Sequence, residues 1–467
     1  MTGSNARRLL SAAGTTSTFA LTLLISAHAA AQTTPPAATV HPLHVELSNV
    51  PTLTTPPSTS FCLANFAIHC YQPAQFELAY NLGPLHRAGI DGRGTTIVIV
   101  DAFGSPTIQN DLHVFDQTFG LPDPPSLTIL QPAGTVPAFD PTNSVMLDWA
   151  TETTLDVEWA HVFAPGANIV LVETPVAETE GVTGFPEIVK AENFVIDHHI
   201  GDVISQSFGA TEETFPTPAS ILQLRSAYFN ALFHGVTVVS GSGDLGATSQ
   251  ELNQTDKFPK RVNSWPSSDP LVTSVGGTML TLNDAGVRQS PDVVWNDGGG
   301  AGGGGVSAVF ERPDFQDHVR NVVGRQRGTP DISLSAACDG SVVYYYSFQP
   351  GRAGFHLVCG TSEATPEFAG IVALADQLAG HRLGHLGHAL YDLRKRDLVD
   401  VTQGNNSFGP FTNSDGQTTT VIGFDAGPGY DLASGLGTLD ATAFVRALAR
   451  HDEGRDADHD GDDDDRD

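Results

Sequence analysis

The chain contains 467 residues, of which 40% are hydrophobic and 16% are charged, and its formal net charge at pH 7 is −30. An apolar fraction of this size is enough to bury a core and excludes disorder along the whole chain. The acidic balance, 53 Asp and Glu against 23 Lys and Arg, excludes nucleic acid and anionic membrane surfaces as partners, because both need clustered cations. The carboxyl groups repel one another at neutral pH and lose charge in acid, so low pH is a candidate working condition.

The first 31 residues are typical of a secretory signal peptide. Arg7 and Arg8 supply the positive start, an apolar stretch follows over Phe19–Ile25, and residues 29–31 (Ala-Ala-Ala) offer a cleavage site. The alternative is a membrane anchor, but the apolar run is too short to span a bilayer. We therefore expect an exported, soluble and secreted protein.

Composition divides the rest of the chain into three parts. Residues 32–60 are rich in Thr and Pro and are expected to form an extended linker without a core of its own. Residues 61–450 carry the alternating apolar segments and are expected to form the folded domain. Residues 451–467 end in a run of Asp, which predicts a solvated, disordered tail.

Four cysteines fit an oxidising compartment and allow three disulfide pairings. The expected pairing joins neighbours in sequence, Cys62 with Cys70 and Cys338 with Cys359. The alternative role for Cys359 is a catalytic thiol, with His356 three residues before it.

The middle of the chain alternates between two kinds of segment. Short β-branched runs predict strands, and longer segments with helical spacing separate them. The runs are Thr95–Val100, Asn168–Val172, Asp202–Ser205 and Val236–Val239, and the helical segments include Glu187–His198 and Ala219–Phe233. This order predicts an α/β fold with a largely parallel sheet that helices cover on both faces. Because sites gather at the carboxyl ends of such strands, Asp101 and the loop over Gly241–Gly246 are candidates.

Ser362 is a candidate nucleophile. It lies in the small-residue turn Gly360–Pro366, directly before an apolar helical pattern. A hydroxyl at a helix N-terminus lies near free N–H groups that stabilise negative charge, as acyl transfer requires. The alternative is an ordinary helix N-cap.

Glu152 and Asp156 are a candidate carboxylate pair. They lie one helical turn apart within Thr151–Phe163, and Trp159 and Phe163 continue the same stripe. Carboxylates in line with aromatic residues indicate a face turned inward, where the pair could share a proton. The alternative is a solvated acidic turn near a helix N-terminus.

Two further loops carry carboxylates. Asp244 lies in the glycine-rich loop Ser240–Gly246, where a protonated carboxyl could donate a hydrogen bond to an oxyanion, although Asp is also a common turn former. Asp400-Val401 and the later run Gly427–Asp431 combine carboxylates with exposed glycine carbonyls. These hard oxygen ligands suit Ca²⁺, and the alternative is two ordinary turns.

Together these residues resemble the sedolisin family, the serine-carboxyl peptidases, which are endopeptidases with a subtilisin-like fold that work in acid. The resemblance runs from about Tyr71 to Leu448. The matching stretches occur in the family's order: Glu152–Gly166, Ser205–Gly209, Ser240–Gly246, Trp265–Thr278, Gly303–Ser307, Thr329–Ser333 and Gly360–Pro366.

The resemblance implies a role for each catalytic candidate. Ser362 would be the nucleophile, Glu152 the general base, Asp156 the residue that orients Glu152, and Asp244 the acid of the oxyanion hole. Asp101 would extend the carboxylate network.

The resemblance also implies one structural Ca²⁺ and polypeptide substrates. The side chains of Asp400 and Asp431 and the carbonyls of Val401, Gly427 and Gly429 would hold the ion. We expect a monomer with an acidic optimum, since a carboxylate base has a low intrinsic pKa.

Two alternatives stay open. Only a short stretch precedes Tyr71 where family members carry a large propeptide, and this motivates a catalytically silent secreted binding protein with the same fold and Ca²⁺ site. The other alternative is a Ser–His–Asp peptidase that uses Asp101 and a histidine such as His161. The chain lacks the His-Gly-Thr-His motif that this would require.

Overall fold

A computed structural model describes residues 42–394 and 396–460, with side chains as far as His451. The predicted signal peptide over 1–31, the first part of the predicted linker over 32–41 and the last tail residues over 461–467 lie outside the described residues.

The strands are mostly short, and the longest have seven residues. In chain order they are β1 Val45–Glu46, β2 Cys70–Tyr71, β3 Thr96–Ala102, β4 Leu127–Leu130, β5 Asn168–Thr174, β6 Val203–Gln206, β7 Ala210–Thr211, β8 Thr237–Gly241, β9 Ser264–Trp265, β10 Thr273–Met279, β11 Val293–Val294, β12 Gly305–Glu311, β13 Gln326–Thr329, β14 Ile332–Ser335, β15 Ser341–Tyr346, β16 Gly354–Cys359, β17 Phe408–Thr412 and β18 Thr418–Val421.

The helices include two long central ones, α5 and α10. In chain order they are α1 Thr59–Phe66, α2 Pro73–Ala79, α3 Gly83–Arg87, α4 Ile108–Phe119, α5 Ser144–Phe163, α6 Phe185–Asp197, α7 Pro218–Leu222, α8 Ser226–His234, α9 Arg320–Val323, α10 Thr361–Ala379, α11 Gly387–Tyr391 and α12 Ala441–Asp460, with 3₁₀ helices at Glu212–Thr214 and Asp314–Val319. Among the described residues, no helix is both long enough and apolar enough to cross a bilayer.

The central sheet has the order β11-β10-β8-β6-β3-β5-β4, and β14 also pairs with β10. Its pairs are parallel except for the antiparallel edge strand β11. One core lies between this sheet and α5, α10 and α12, and a second lies under α6 and α8 on the other face. The predicted α/β fold with a largely parallel, doubly covered sheet is therefore confirmed. The carboxyl ends of β3 and β8 bring Asp101 and the Gly241–Gly246 loop to one edge.

A smaller sheet with the order β1-β16-β15-β2 lies beside the central one. Its strand β16 leads directly into α10 through Gly360, so this sheet positions the start of that helix. Both disulfides, Cys62–Cys70 and Cys338–Cys359, have the predicted pairing. The second joins the residue before Gly360 to the loop that precedes β15, and it excludes a catalytic thiol at Cys359.

The predicted helix over Ala219–Phe233 is wrong as a single element, because it divides into α7 and α8. The break covers residues 223–225 and includes Arg225, whose guanidinium forms two hydrogen bonds to Asp269 at 2.6 and 2.8 Å. The same guanidinium lies over the rings of Phe229 and Phe310. A tertiary ion pair therefore sets the chain direction here against the local helical pattern.

The predicted boundaries need correction at both ends of the domain. Residues 42–60 do not form a linker: Leu43, Val45, Leu47 and Val50 are buried, and β1 pairs with β16. Alternating apolar residues let this segment add a strand to the smaller sheet, which an extended Thr/Pro-rich linker could not do. At the other end α12 continues to Asp460, so the first part of the predicted disordered tail is helical.

Candidate active site

Ser362 lies at the start of α10, where the chain turns sharply out of β16. Gly360 makes this turn with φ of +128°, a conformation that other residues rarely adopt. A Cβ at Gly360 would lie 2.5 Å from Oδ2 of Asp244 and 2.7 Å from the carbonyl oxygen of Leu43. Only glycine therefore leaves space for these two oxygens beside the candidate nucleophile.

Glu152 faces Ser362 from α5, which packs against α10, and Asp156 lies next to Glu152 on the same helix. Burial raises the pKa of Glu152 well above its usual range, and the neighbouring carboxyl of Asp101 raises it further. The Ser362 hydroxyl lies close enough to Glu152 to offset part of this rise in the pKa of Glu152. Within the described residues, this hydroxyl makes no well-aligned hydrogen bond. The structure thus brings the predicted nucleophile and the predicted base together.

Asp156 and Asp101 complete a cluster of three buried carboxyls with Glu152. Burial raises the pKa of Asp156 well above its usual range, with further contributions from Glu152 and Asp101, while Ser207 donates a hydrogen bond to its Oδ1 at 2.9 Å. Burial raises the pKa of Asp101 to about 7. Three carboxyls this close cannot all be ionised, so the cluster holds shared protons.

Asp244 lies in the loop after β8 and reaches the turn before Ser362. Its Oδ1 accepts hydrogen bonds from the amide and the hydroxyl of Thr361, both at 2.8 Å. Its Oδ2 is buried and has no partner in the described part of the chain. Burial raises the pKa of Asp244 to about 8, so this carboxyl is protonated below that pH. A protonated Oδ2 aimed at the turn before Ser362 can donate a hydrogen bond to a carbonyl or oxyanion there.

Two residues of the site were missed by the sequence analysis, Leu43 and His44. The carbonyl oxygen of Leu43 accepts a hydrogen bond from the Ser362 amide at 3.0 Å. Nδ1 of His44 forms a hydrogen bond with Oε2 of Glu152. The available signal was the alternation of apolar residues at Leu43, Val45 and Leu47, which predicts a strand.

His161 does not take part in this site. It lies nine residues after Glu152 on α5, about two and a half turns and 13 Å along the axis, and so on the opposite face. Its Nε2 pairs with the carbonyl oxygen of Pro122 at 2.7 Å and lies 3.5 Å from Asp116. Burial lowers the pKa of His161 to about 4. The arrangement that would use His161 with Asp101 is therefore wrong.

The predicted calcium ligands come together in a separate loop cluster. Gly427 donates its amide to Oδ2 of Asp431 at 2.8 Å, and Gly429 donates to Oδ2 of Asp400 at 2.9 Å. Oδ1 of Asp431 accepts further bonds from Ser434. Neither carboxylate forms an ion pair with a cationic side chain in the described ranges.

The chemistry of this cluster fits a hard cation. Burial raises the pKa of Asp431, as expected of a carboxylate without a compensating positive charge. No group of three or more Asp, Glu, His or Cys side chains suited to a metal occurs among the described residues. A cation here would therefore depend on backbone carbonyls, such as that of Val401, to complete its ligands.

Comparisons with known proteins show which family and which fold this chain resembles. A sequence profile of the subtilase family matches residues 133–388. The chain is 29% identical over 388 residues to kumamolisin from Bacillus sp. (strain MN-32) and 27% identical over 395 residues to sedolisin from Pseudomonas sp. (strain 101). Each alignment covers 81% of this chain but only 63% and 61% of those relatives, so the chain spans less than two thirds of their length.

A solved structure of Pseudomonas sedolisin, a serine-carboxyl proteinase in complex with two molecules of pseudo-iodotyrostatin, superposes with a TM-score of 0.68. The two sequences are 25% identical, and the superposition covers 83% of this chain and 99% of the sedolisin chain. The similarity therefore includes the whole fold around the site.

Proposed function

We propose that this chain, which belongs to the subtilase family and within it to the sedolisin group of serine-carboxyl peptidases, is a secreted serine endopeptidase. It would hydrolyse peptide bonds in acid. The observation that supports the proposal most is the buried Ser362 hydroxyl beside the Glu152 carboxyl at the start of α10. Both disulfides favour an oxidising compartment outside the cytosol.

In the proposed reaction Ser362 Oγ attacks the carbonyl carbon of the scissile bond while Glu152 accepts its proton. Glu152 then returns this proton to the leaving amine, and the same steps with water release the acyl group. Asp156 is hydrogen-bonded to Ser207 and orients Glu152. The amide of Ser362 and the protonated Oδ2 of Asp244 stabilise the tetrahedral oxyanion.

The carboxyl cluster explains why the reaction would need acid. When one of Glu152, Asp156 and Asp101 is ionised, Glu152 can act as a base while its neighbours stay protonated. As the pH rises, a second carboxyl ionises and repels the first. Asp244 also has to keep its proton, which it loses as the pH passes about 8. The singly ionised cluster with a protonated Asp244 is therefore the active form.

We also propose one structural Ca²⁺ in the loop cluster. Asp400 and Asp431 would bind it with their side chains, and Val401, Gly427 and Gly429 with their carbonyls. The supporting observations are the convergence of both carboxylates on one turn and their lack of an ion pair among the residues described. When bound, the ion supplies a positive charge that fixes this loop, and the chemical steps do not involve it.

The test of the peptidase proposal is incubation of the purified chain with a denatured polypeptide at pH about 3–5, the range in which carboxylate catalysis works. Cleavage is expected for the wild type and for Ser126→Ala, a matched control because Ser126 is exposed and its hydroxyl bonds to Asn168 instead of to a residue of the proposed site. Ser362→Ala should abolish it. No cleavage by the wild type would favour a silent binding protein, and cleavage that survives Ser362→Ala would reject the serine mechanism.

A further inference from the structure

Three side chains form a row across the central sheet, at the carboxyl ends of the neighbouring strands β3, β5 and β4. Asp101 lies opposite Glu173 in the parallel pair β3–β5. The register of the pair β4–β5 ends at Val172, and Gln131 comes next, opposite Glu173. Neighbouring strands are about 4.8 Å apart, so each side chain of this row lies beside the next one.

The row points to the face of the sheet that α5 covers. Ile99 of β3 and Leu171 of β5 lie in the core between the sheet and this helix. Because side chains alternate between the two faces of a strand, Asp101 and Glu173, two residues later, point to the same face. The row therefore continues the cluster of buried carboxyls away from α5, as far as the exposed Gln131 beyond the edge strand β4.

Two features of the chain hold Glu173 in this row. The side-chain amide of Gln131 donates to Oε2 of Glu173 at 2.7 Å. After β3 the chain turns away with φ of +61° at Phe103 and +71° at Gly104, and a Cβ on Gly104 would overlap Oε1 of Glu173. A glycine thus leaves the space that one oxygen of Glu173 occupies, and an amide binds the other oxygen.

No positive charge balances the carboxyls of this row. In the ranges that the structure describes, neither Asp101 nor Glu173 forms an ion pair with a cationic side chain. Lys190 lies on α6, which covers the other face of the sheet, and it donates to the carbonyl oxygen of Ala133 at 2.9 Å. The titratable groups that act on Asp101 are therefore acidic, with Glu173 on one side and the two carboxyls of α5 on the other.

Glu173 ionises more easily than Asp101. Burial raises the pKa of both carboxyls, and it raises that of Asp101 to about 7. The hydrogen bond from Gln131 offsets part of this rise for Glu173, and Gln131 is itself exposed to water. Once Glu173 is ionised, repulsion between like charges raises the pKa of Asp101 further. As the pH rises, Glu173 therefore loses its proton first, and its charge keeps the proton on Asp101.

We propose that Glu173 is a positioning residue for the peptidase reaction, which acts through Asp101 by retaining its proton and so keeps Glu152 active at higher pH. The inference rests on the proposed peptidase function. A negative charge on Asp101 would repel the charge on Glu152 and end the singly ionised state of the cluster. Glu173 carries this second charge farther from Glu152, at the edge of the sheet where Gln131 and water stabilise it.

The experiment compares how kcat/KM depends on pH in the wild type and in Glu173→Gln, with one peptide substrate. The variant keeps an oxygen that accepts from Gln131 but carries no charge. Its falling limb, on the alkaline side, should lie about half a pH unit or more below that of the wild type. Its rising limb should stay in place, because Glu173 is protonated in acid. Glu187→Gln, a partly exposed carboxylate on α6, is the matched control and should keep both limbs.

Two further variants test whether the effect passes through Asp101. Gln131→Leu removes the bond that stabilises the charge on Glu173, so the falling limb should move in the same direction by a smaller amount. In an Asp101→Asn background, Glu173→Gln should move the falling limb no further. An unmoved limb in Glu173→Gln, an equal shift in Glu187→Gln or a shift that persists without Asp101 overturns the inference. Partial unfolding of a variant lowers the height of its profile but leaves the limbs where they are.

A measurement without substrate distinguishes failure of the inference from failure of the proposed function. In a Ser362→Ala chain with carbon-13 in its aspartate carboxyls, NMR follows the ionisation of Asp101, whose resonance is identified by its loss in Asp101→Asn. Glu173→Gln should move the midpoint of this titration to lower pH. A moved midpoint in a protein whose wild type cleaves no peptide supports the link between Glu173 and Asp101 and overturns the peptidase. Cleavage together with an unmoved midpoint supports the peptidase and overturns the inference.

Discussion

Thr361 holds Asp244 through two hydrogen bonds, since its amide and its hydroxyl both donate to Oδ1 at 2.8 Å. These bonds use one carboxyl oxygen and leave the other, Oδ2, to carry the proton that burial retains. Because Thr361 directly precedes Ser362, the same turn fixes the proposed nucleophile and the acid that would stabilise its oxyanion. The position of this donor is thus set before any substrate binds, which is the condition for effective electrostatic stabilisation.

Two replacements of Asp244 should separate the effect of its hydrogen bond to the oxyanion from the effect of ionising its carboxyl. Asp244→Val removes the donor, and kcat should fall by about 10²–10³-fold, the usual effect of losing one oxyanion donor. Asp244→Asn keeps an acceptor for Thr361 and a donor at the other position, so it should retain more activity than Asp244→Val. As the pH rises through about 8, the wild type loses its proton and the asparagine variant does not. The ratio of asparagine to wild-type activity should therefore increase there, and a constant ratio would contradict the assigned role.

Glu152 can be tested against a buried carboxyl on the same helix. Glu152→Gln removes the proposed base without changing its size, and kcat should fall by about 10²–10⁴-fold. Glu158→Gln is the matched control, because Glu158 is equally buried on α5 but accepts a hydrogen bond from the Tyr345 amide instead of facing Ser362. Steady-state kinetics with one peptide substrate, together with circular dichroism of both variants, provides the comparison. If kcat falls equally in the two variants, the loss comes from replacing any buried carboxyl on α5, and Glu152 is not the base.

Much of the site could be predicted from the sequence because its signals are local. The spacing of Glu152 and Asp156 and the small-residue turn before Ser362 depend only on helix geometry and turn chemistry. The parallel sheet followed from the alternation of strands and helices, and this placed Asp101 and the Asp244 loop at one edge.

The remaining features depend on contacts between distant parts of the chain. The position of Leu43 and His44 depends on pairing with β16, more than 300 residues later. The segment has alternating apolar residues that allow this pairing, but the Thr/Pro-rich composition around it indicated a linker. The break between α7 and α8 depends on Asp269, which no local window around Arg225 contains. Both features arise from tertiary interactions that override local propensity.

Removal of Ca²⁺ should lower the thermal stability of the protein. A cation that binds only the folded state stabilises it by an amount that rises with its concentration, about 2.7 kcal/mol at 100 times Kd. Addition of a chelator should lower Tm, and added Ca²⁺ should restore it. Asp400→Asn should weaken this response, whereas Asp415→Asn, an exposed carboxylate in the β17–β18 turn, should retain it. The proposed site would be contradicted if the Tm of the wild type does not change with Ca²⁺, or if the Tm of Asp400→Asn changes with Ca²⁺ as much as that of the wild type.

Buried carboxyls should make the fold less stable as the pH rises from neutral to weakly alkaline. Burial raises the pKa of Glu192 to about 8 and that of Glu212 to about 7. In the unfolded chain these groups titrate near 4.3, so above that pH the folded state binds more protons and its stability falls until the pH passes the folded pKa. The buried histidines His161 and His356, with pKa values lowered by burial to about 4, act in the opposite direction only below about 6.5. The net loss should therefore be steepest between pH about 6.5 and 8.

The measurement is thermal unfolding of the Ser362→Ala variant, in which self-digestion cannot interfere, across that pH range. Tm should fall by a few degrees, since 1 kcal/mol corresponds to about 1 °C in a domain of this size. Glu192→Gln keeps a polar partner for Gln206 but removes the titrating group, so its Tm should fall less steeply. Glu187→Gln, on the same helix but partly exposed to water, is the control and should keep the original slope. A Tm that rises with pH over this range would show that the buried carboxyls do not hold their protons in the folded state.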